Sequence, residues 1–152
     1  MSSAGVPEIA PPLEPRGEHF AHGADIGIRG RGPTMDDAFE QAAYALTAIA
    51  VDPRAVRTTD EVRIGCEAPD PEILFFDWIN AIVAEMSARR MLFGRFEVRI
   101  DDTHLEGRAW GERADPARHA PAIEVKGATF TELRVSPDRE HGGWYAQCVV
   151  DV

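Results

Sequence analysis

Two aspartates and a chain end are the residues of this sequence best suited to chemistry. Trp144 to Val152 reads Trp-Tyr-Ala-Gln-Cys-Val-Val-Asp-Val. Apart from Gln147 and Asp151, every residue there is apolar, aromatic or a thiol, the make-up of a buried strand. A carboxylate in such a run is costly unless its charge is compensated. The terminal carboxylate of Val152 lies one residue away, so two anionic groups share the strand tip and a cation would relieve their repulsion. Near the other end, His22-Gly23-Ala24-Asp25-Ile26-Gly27-Ile28 sets a second lone Asp in an apolar, glycine-spaced strand. Asp25, Asp151 and the Val152 carboxylate offer only oxygen donors, which suit a hard cation such as Ca²⁺ or Mg²⁺ rather than zinc. The other reading makes Asp25 a turn cap and leaves Asp151 exposed at a fraying end, and spacing alone does not separate the two.

A third candidate comes from composition. The chain has fifteen arginines and a single lysine, Lys126. Where only charge matters the two are exchangeable, so the one that remains marks a place for a compact ammonium, or else survives by chance. Glu124 and Lys126 are two apart and share a face of a strand; they form either a surface ion pair or a lysine directed at the aspartates. His22, three residues before Asp25, is a candidate for a supporting hydrogen bond to the ligands, with a plain structural role as the alternative. The five histidines and two cysteines show no zinc spacing. The glycines from Gly27 to Gly32 lack the GxGxxG context, and no Ser or Cys stands in a nucleophile elbow. No catalytic residue is assigned.

The elements that must position these residues follow from periodicity. Met1–Gly17 carries four of the eleven prolines and few large apolar groups, and reads as a disordered tail. One domain, residues 18–152, follows. Glu18 to Arg31 is extended. Thr34 opens a first helix with Asp37 three residues on, and Met35, Phe39, Ala42, Leu46 and Ile49 form its apolar stripe up to Asp52-Pro53. Glu61 to Glu67 alternates as a strand. Asp70-Pro71-Glu72 starts a second helix, with Phe75, Trp78, Ile79, Ile82, Val83 and Met86 on its broad apolar face and Arg89-Arg90 at its end. Strands follow: Phe96 to Ile100, Leu105 to Trp110, Ile123 to Val135 and Trp144 to Val152. The order predicts an α+β two-layer fold with two helices packed on one face of a mostly antiparallel sheet.

Bulk composition limits the function classes. A formal net charge of −10 argues against strong direct nucleic-acid binding and favours a basic protein partner, a cation or simple solubility. No apolar run reaches the roughly 20 residues that span a membrane. Two cysteines, Cys66 and Cys148, and no leader-like start predict a cytoplasmic protein.

Taken in order, these segments resemble the archease family. His22 to Ile28 is similar to its HTADIGI signature. Met35 to Asp52 and Leu74 to Met86 resemble its two helices, and Leu92-Phe93 with Phe96-Glu97-Val98 its next strand. Gly111-Glu112, Asp115-Pro116 and His119 match its G-E…D-P…H loop, and Glu124-Val125-Lys126 with Thr129 its E-V-K-A-x-T-Y-H segment. The chain closes on Asp151-Val152, as family members do. The departures are Gly23 for Thr, Gly127 for Ala, Phe130 for Tyr and Thr131 for His.

The resemblance implies a non-enzymatic protein that assists an RtcB-type tRNA-splicing RNA ligase, promoting its guanylylation and turnover. It implies a divalent cation, Ca²⁺ in the family, with Mg²⁺ or Mn²⁺ as other candidates. The ligands implied are Asp25, Asp151 and Val152, and Lys126 is the implied functional lysine. A metal-dependent phosphohydrolase and a chaperone-like interaction module are the alternatives.

Overall fold

The structure is a computed structural model and describes residues 17–119 and 123–152. The expected tail lies outside the described residues apart from Gly17. Among the described residues no helix is long and apolar enough to cross a membrane.

The expected α+β fold, two main helices against mostly antiparallel sheet, is present. The strands divide between two sheets. The first contains β1 (Gly17–His22), β2 (Asp25–Gly32), β6 (Gly127–Ala128), β7 (Arg134–Pro137) and β8 (Trp144–Asp151), with order β1-β2-β8-β6 and β7 also on β8. The second has order β3-β5-β4, built from β3 (Asp60–Glu67), β4 (Met91–Asp101) and β5 (His104–Arg113). Every pairing is antiparallel. The two main helices are α1 (Met35–Ala50) and α2 (Pro71–Arg89); a short α3 (Pro116–His119) follows β5.

Local chemistry explains the helix starts. Thr34 takes the Asp37 amide on its hydroxyl while the Asp37 carboxylate takes the Thr34 amide, a complete capping box. Asp70 caps α2 by accepting from Ile73, ahead of Pro71 at the first helical position. The Trp78 side chain of α2 is fully buried and donates its indole N–H to the Phe39 carbonyl of α1 at 3.1 Å. Phe39 and Phe75 meet edge-on at 5.1 Å, so the helices share one core with both sheets. Gly30 lets β2 press against α1: a Cβ there would stand 2.1 Å from the Ala38 carbonyl oxygen.

One device joins α1 to the second sheet. The outer N–H groups of the edge strand β4 have no strand neighbour among the described residues. The Asp36 carboxylate takes the Ile100 amide at 3.2 Å, and that of Glu40 the Val98 amide at 2.8 Å. Four residues on a helix rise about 6 Å and two on a strand about 6.7 Å, so the two ladders keep step. A further turn along, Tyr44 meets the Phe96 ring edge-on at 5.4 Å.

Two stretches differ from the expected elements. Glu18 to Arg31 is a hairpin rather than one extended strand, because Gly23 turns the chain at φ +60. A glycine first in a two-residue turn suits a II′-type hairpin. Ile123 to Val135 is not continuous strand either. Gly127–Ala128 and the start of β7 are the strand pairings it makes with β8, with Thr129 and Thr131 bonded to Val149 just after the first. Between them the chain turns, with Leu133 bonded back to Phe130 and Glu132 at φ +54.

Candidate functional site

β8 is the central strand of the first sheet and its last residues carry the site. The β2–β8 register pairs Ile26 with Val150 and Gly27 with Val149. Carried one residue further, it sets Asp25 opposite Asp151. Cross-strand neighbours point to the same face, and Ile28, Cys148 and Val150 fill the core on the other. Asp25 and Asp151 therefore share the face turned away from the core. On the far side of β8, Gly127 stands opposite Asp151, and the Lys126 amide donates to the Asp151 carbonyl at 2.9 Å. Two residues 126 apart in sequence and the only lysine thus converge at one end of one sheet.

Burial separates their roles. Residues Ala146 to Val150 of β8 are enclosed, whereas Asp151 is exposed and Asp25 half-buried. The Asp151 charge is therefore solvated, and the premise that it sits inside a buried strand is corrected: both faces of β8 are enclosed as far as Val150, and Asp151 is exposed because it stands at the strand end, where that enclosure stops. The half-buried Val152 side chain packs against the core. Lys126 is exposed. Among the described residues none of Asp25, Asp151 and Lys126 has an ion-pair partner.

The supporting candidates fall as follows. His22 pairs with Asp25 across the β1–β2 hairpin and is exposed. Glu124 is exposed and lies before β6 in irregular chain, so the strand geometry expected to put it on one face with Lys126 does not apply. Among the described residues no ion pair joins the two.

The donor set is chemically consistent with a hard divalent cation, since every group is a carboxylate oxygen at an accessible sheet end. Among the described residues no three His, Cys, Asp or Glu side chains are grouped as ligands. The expected set has only two such side chains, the third donor being a main-chain carboxylate.

Sequence reasoning passed over two other arrangements. Glu112 accepts the Arg57 amide at 2.7 Å, the Arg118 guanidinium, and His119 Nε2 at 3.1 Å. These donors, the Arg57 amide foremost, hold its carboxyl down at about 2. His119 Nδ1 accepts the Asp115 amide at 2.8 Å, so its proton is on Nε2 and points at Glu112. The side chain of His119 is 1% exposed. This is a clamp that ties α3 to β5 rather than an acid–base pair. The second arrangement is Asn80 of α2, whose Oδ1 accepts the Ala128 amide of β6 at 2.9 Å. Burial pushes the thiols of Cys66 and Cys148 up to about 11 and about 12, which removes both as nucleophiles near neutral pH.

Comparison with known proteins agrees with this architecture. The archease protein family (MTH1598/TM1083) matches residues 18–152. The chain is 37% identical to protein archease of Pyrococcus furiosus over 141 residues, covering 89% of this chain and 97% of that protein. It is 36% identical to protein archease of Sulfurisphaera tokodaii, covering 89% and 97%. The fold is similar to the solution structure of Methanobacterium thermoautotrophicum protein 1598, with TM-score 0.79, 28% identity, and coverage of 91% of this chain and 100% of that one.

Proposed function

The chain belongs to the archease family, and we propose that it acts as a non-catalytic accessory to an RtcB-type tRNA-splicing RNA ligase, promoting guanylylation and multiple turnover. The supporting observation is the meeting of β2, β8 and β6 at one sheet end, with Asp25 in register with Asp151 and the Lys126 amide on the Asp151 carbonyl.

In this reading the carboxylates of Asp25 and Asp151 and the main-chain carboxylate of Val152 hold a divalent cation, Ca²⁺, Mg²⁺ or Mn²⁺. An ion held there would supply positive charge to phosphate oxygens at the partner's nucleotide site. Asp25 is half-buried and Asp151 exposed, so both carboxylates are within reach of a cation from solvent. The ammonium of Lys126 is a compact charge on a flexible stem, able to meet a phosphate or a partner carboxylate. The net charge of −10 complements a ligase surface that must be basic to hold RNA.

The chaperone-like alternative would draw on exposed apolar surface. Among the described residues the exposed large apolar side chains are Ile123, 39% exposed, and Phe130, 64% exposed and stacked on Phe76, which are two single side chains rather than a broad patch. The deciding experiment is a guanylylation and multiple-turnover ligation assay with the cognate ligase, with and without this protein. Unchanged guanylylation and single turnover in both arms would overturn the proposal.

A further inference from the structure

Lys126 enters the site from a segment that cannot hold itself. β6 is two residues long and is preceded by irregular chain. On its β8 side it is tied by the Lys126 amide to Asp151, and by the Thr129 amide and hydroxyl to the Val149 carbonyl at 2.9 and 2.8 Å. These bonds fix its height along β8. They leave the opposite edge open, where the half-buried Ala128 presents its N–H to α2.

That N–H meets Asn80 Oδ1 at 2.9 Å. The donor is a backbone amide, so the oxygen of the carboxamide must face it. The fit is close: a Cβ on Gly127 would stand 3.1 Å from the same oxygen. Asn80 is also one of a row. Glu72, Phe76 and Asn80 are spaced by four and lie along one face of α2. The Glu72 carboxylate takes the Val135 amide at 3.3 Å, and Phe76 stacks on Phe130 with centroids 4.4 Å apart. A rigid helix thus grips the returning chain at three points, and Asn80 is the point nearest Lys126.

We propose that Asn80 is a positioning residue of the Lys126–Asp151 site: by taking the Ala128 N–H it fixes β6 laterally, so that Lys126 is held beside Asp151. This rests on the reading of that site as the ligase-facing one. Without an acceptor, the Ala128 N–H must find water, and a two-residue strand has no second bond on that edge to resist the shift.

The test compares Asn80→Leu, which removes the acceptor at similar volume, with Asn80→Asp, which keeps an acceptor oxygen. Amide hydrogen exchange is followed at Lys126 and Ala128, beside thermal melts and single-turnover guanylylation of the ligase. For Asn80→Leu, exchange at both amides should rise at least about tenfold, the scale of a lost buried hydrogen bond. Exchange in the core of β8 and in α1 should stay unchanged, and ligase stimulation should fall by a similar factor. Asn80→Asp should restore both readouts to within about threefold of the parent, whatever its melting temperature. Parent-like exchange at Lys126 in Asn80→Leu would overturn the inference, as would loss of both readouts in Asn80→Asp despite a parent-like melt. If the parent protein itself fails to stimulate the ligase, the ligase reading falls, while the exchange data still decide the positioning role.

Discussion

The Lys126 amide donates to the Asp151 carbonyl at 2.9 Å, so the only lysine of the chain is joined by its own backbone to the last strand residue. This bond fixes the height of Lys126 along β8. Asp25 reaches the same strand end through β2, by a register independent of β6. Three residues from three separate stretches of sequence therefore share one scaffold, and a change in any of them should leave the other two in place. That separability is what makes single substitutions informative.

Divalent-ion binding should need both aspartates. Asp25→Ala and Asp151→Ala each remove a charged donor from an exposed or half-buried position and no core volume. Calorimetric titration with Ca²⁺ and Mg²⁺ should show binding to the parent and none to either variant, with melting temperatures within a few degrees of the parent. Parent-like affinity in both variants would remove the carboxylate pair as ligands.

The Val152 carboxylate should act as a donor in its own right. A peptide extension beyond Val152 replaces a charged group by a neutral carbonyl while leaving the Val152 side chain on the core. An extended protein should bind the cation more weakly than one extended at the other end, and should stimulate the ligase less. Equal affinities would take Val152 off the ligand list.

Lys126→Arg should behave like Lys126→Ala in ligase stimulation, although it keeps the net charge. The guanidinium is wider and its donors lie in a plane, so it cannot take the place of a compact ammonium beside the aspartates. Because Lys126 is exposed, neither variant should change the melting temperature by more than a degree or two. Full stimulation by Lys126→Arg would reduce the role of this residue to charge alone.

Much of the fold is legible in the sequence where one element carries its own signal. The stripe from Met35 to Ile49 with Thr34 before it defines α1, and Asp70-Pro71 defines the start of α2. The hairpin at Gly23-Ala24 is hidden because its turn lies inside an apolar run already rich in glycine. The division into two sheets is hidden because register is a long-range property that no local pattern encodes. Asp25 and Asp151 stand out as lone charges in apolar runs, but only the β2–β8 register brings them to the same sheet end. Asn80 carries no signal at all: a polar residue within α2 looks like the solvent edge of its stripe, and its purpose is visible only in the Ala128 contact.

Glu40 should make the protein less stable as pH rises through neutrality. Burial pushes its carboxyl up to about 7 from an ordinary 4.5; Asp37, Glu97 and Asp36 add to the rise, and the Val98 amide opposes it. The folded state therefore holds a proton that the unfolded state has already released between pH 4.5 and about 7. In that window stability falls with rising pH, and above it the cost of the charged form is complete. The full shift would correspond to roughly 3 kcal/mol. Glu40 is only partly enclosed, and solvent screening brings this to about 1–2 kcal/mol. Glu40→Gln removes the charge and retains a carbonyl oxygen for the Val98 N–H, so the tie between α1 and the β4 edge survives. Denaturant unfolding of both proteins at pH 5 and pH 8 checks this. The variant should match the parent near pH 5 and exceed it by about 1–2 kcal/mol at pH 8. A variant weaker than the parent at pH 8 would mean that the charged carboxylate is the better acceptor for β4, and that its attraction to the Val98 amide outweighs the cost of its burial.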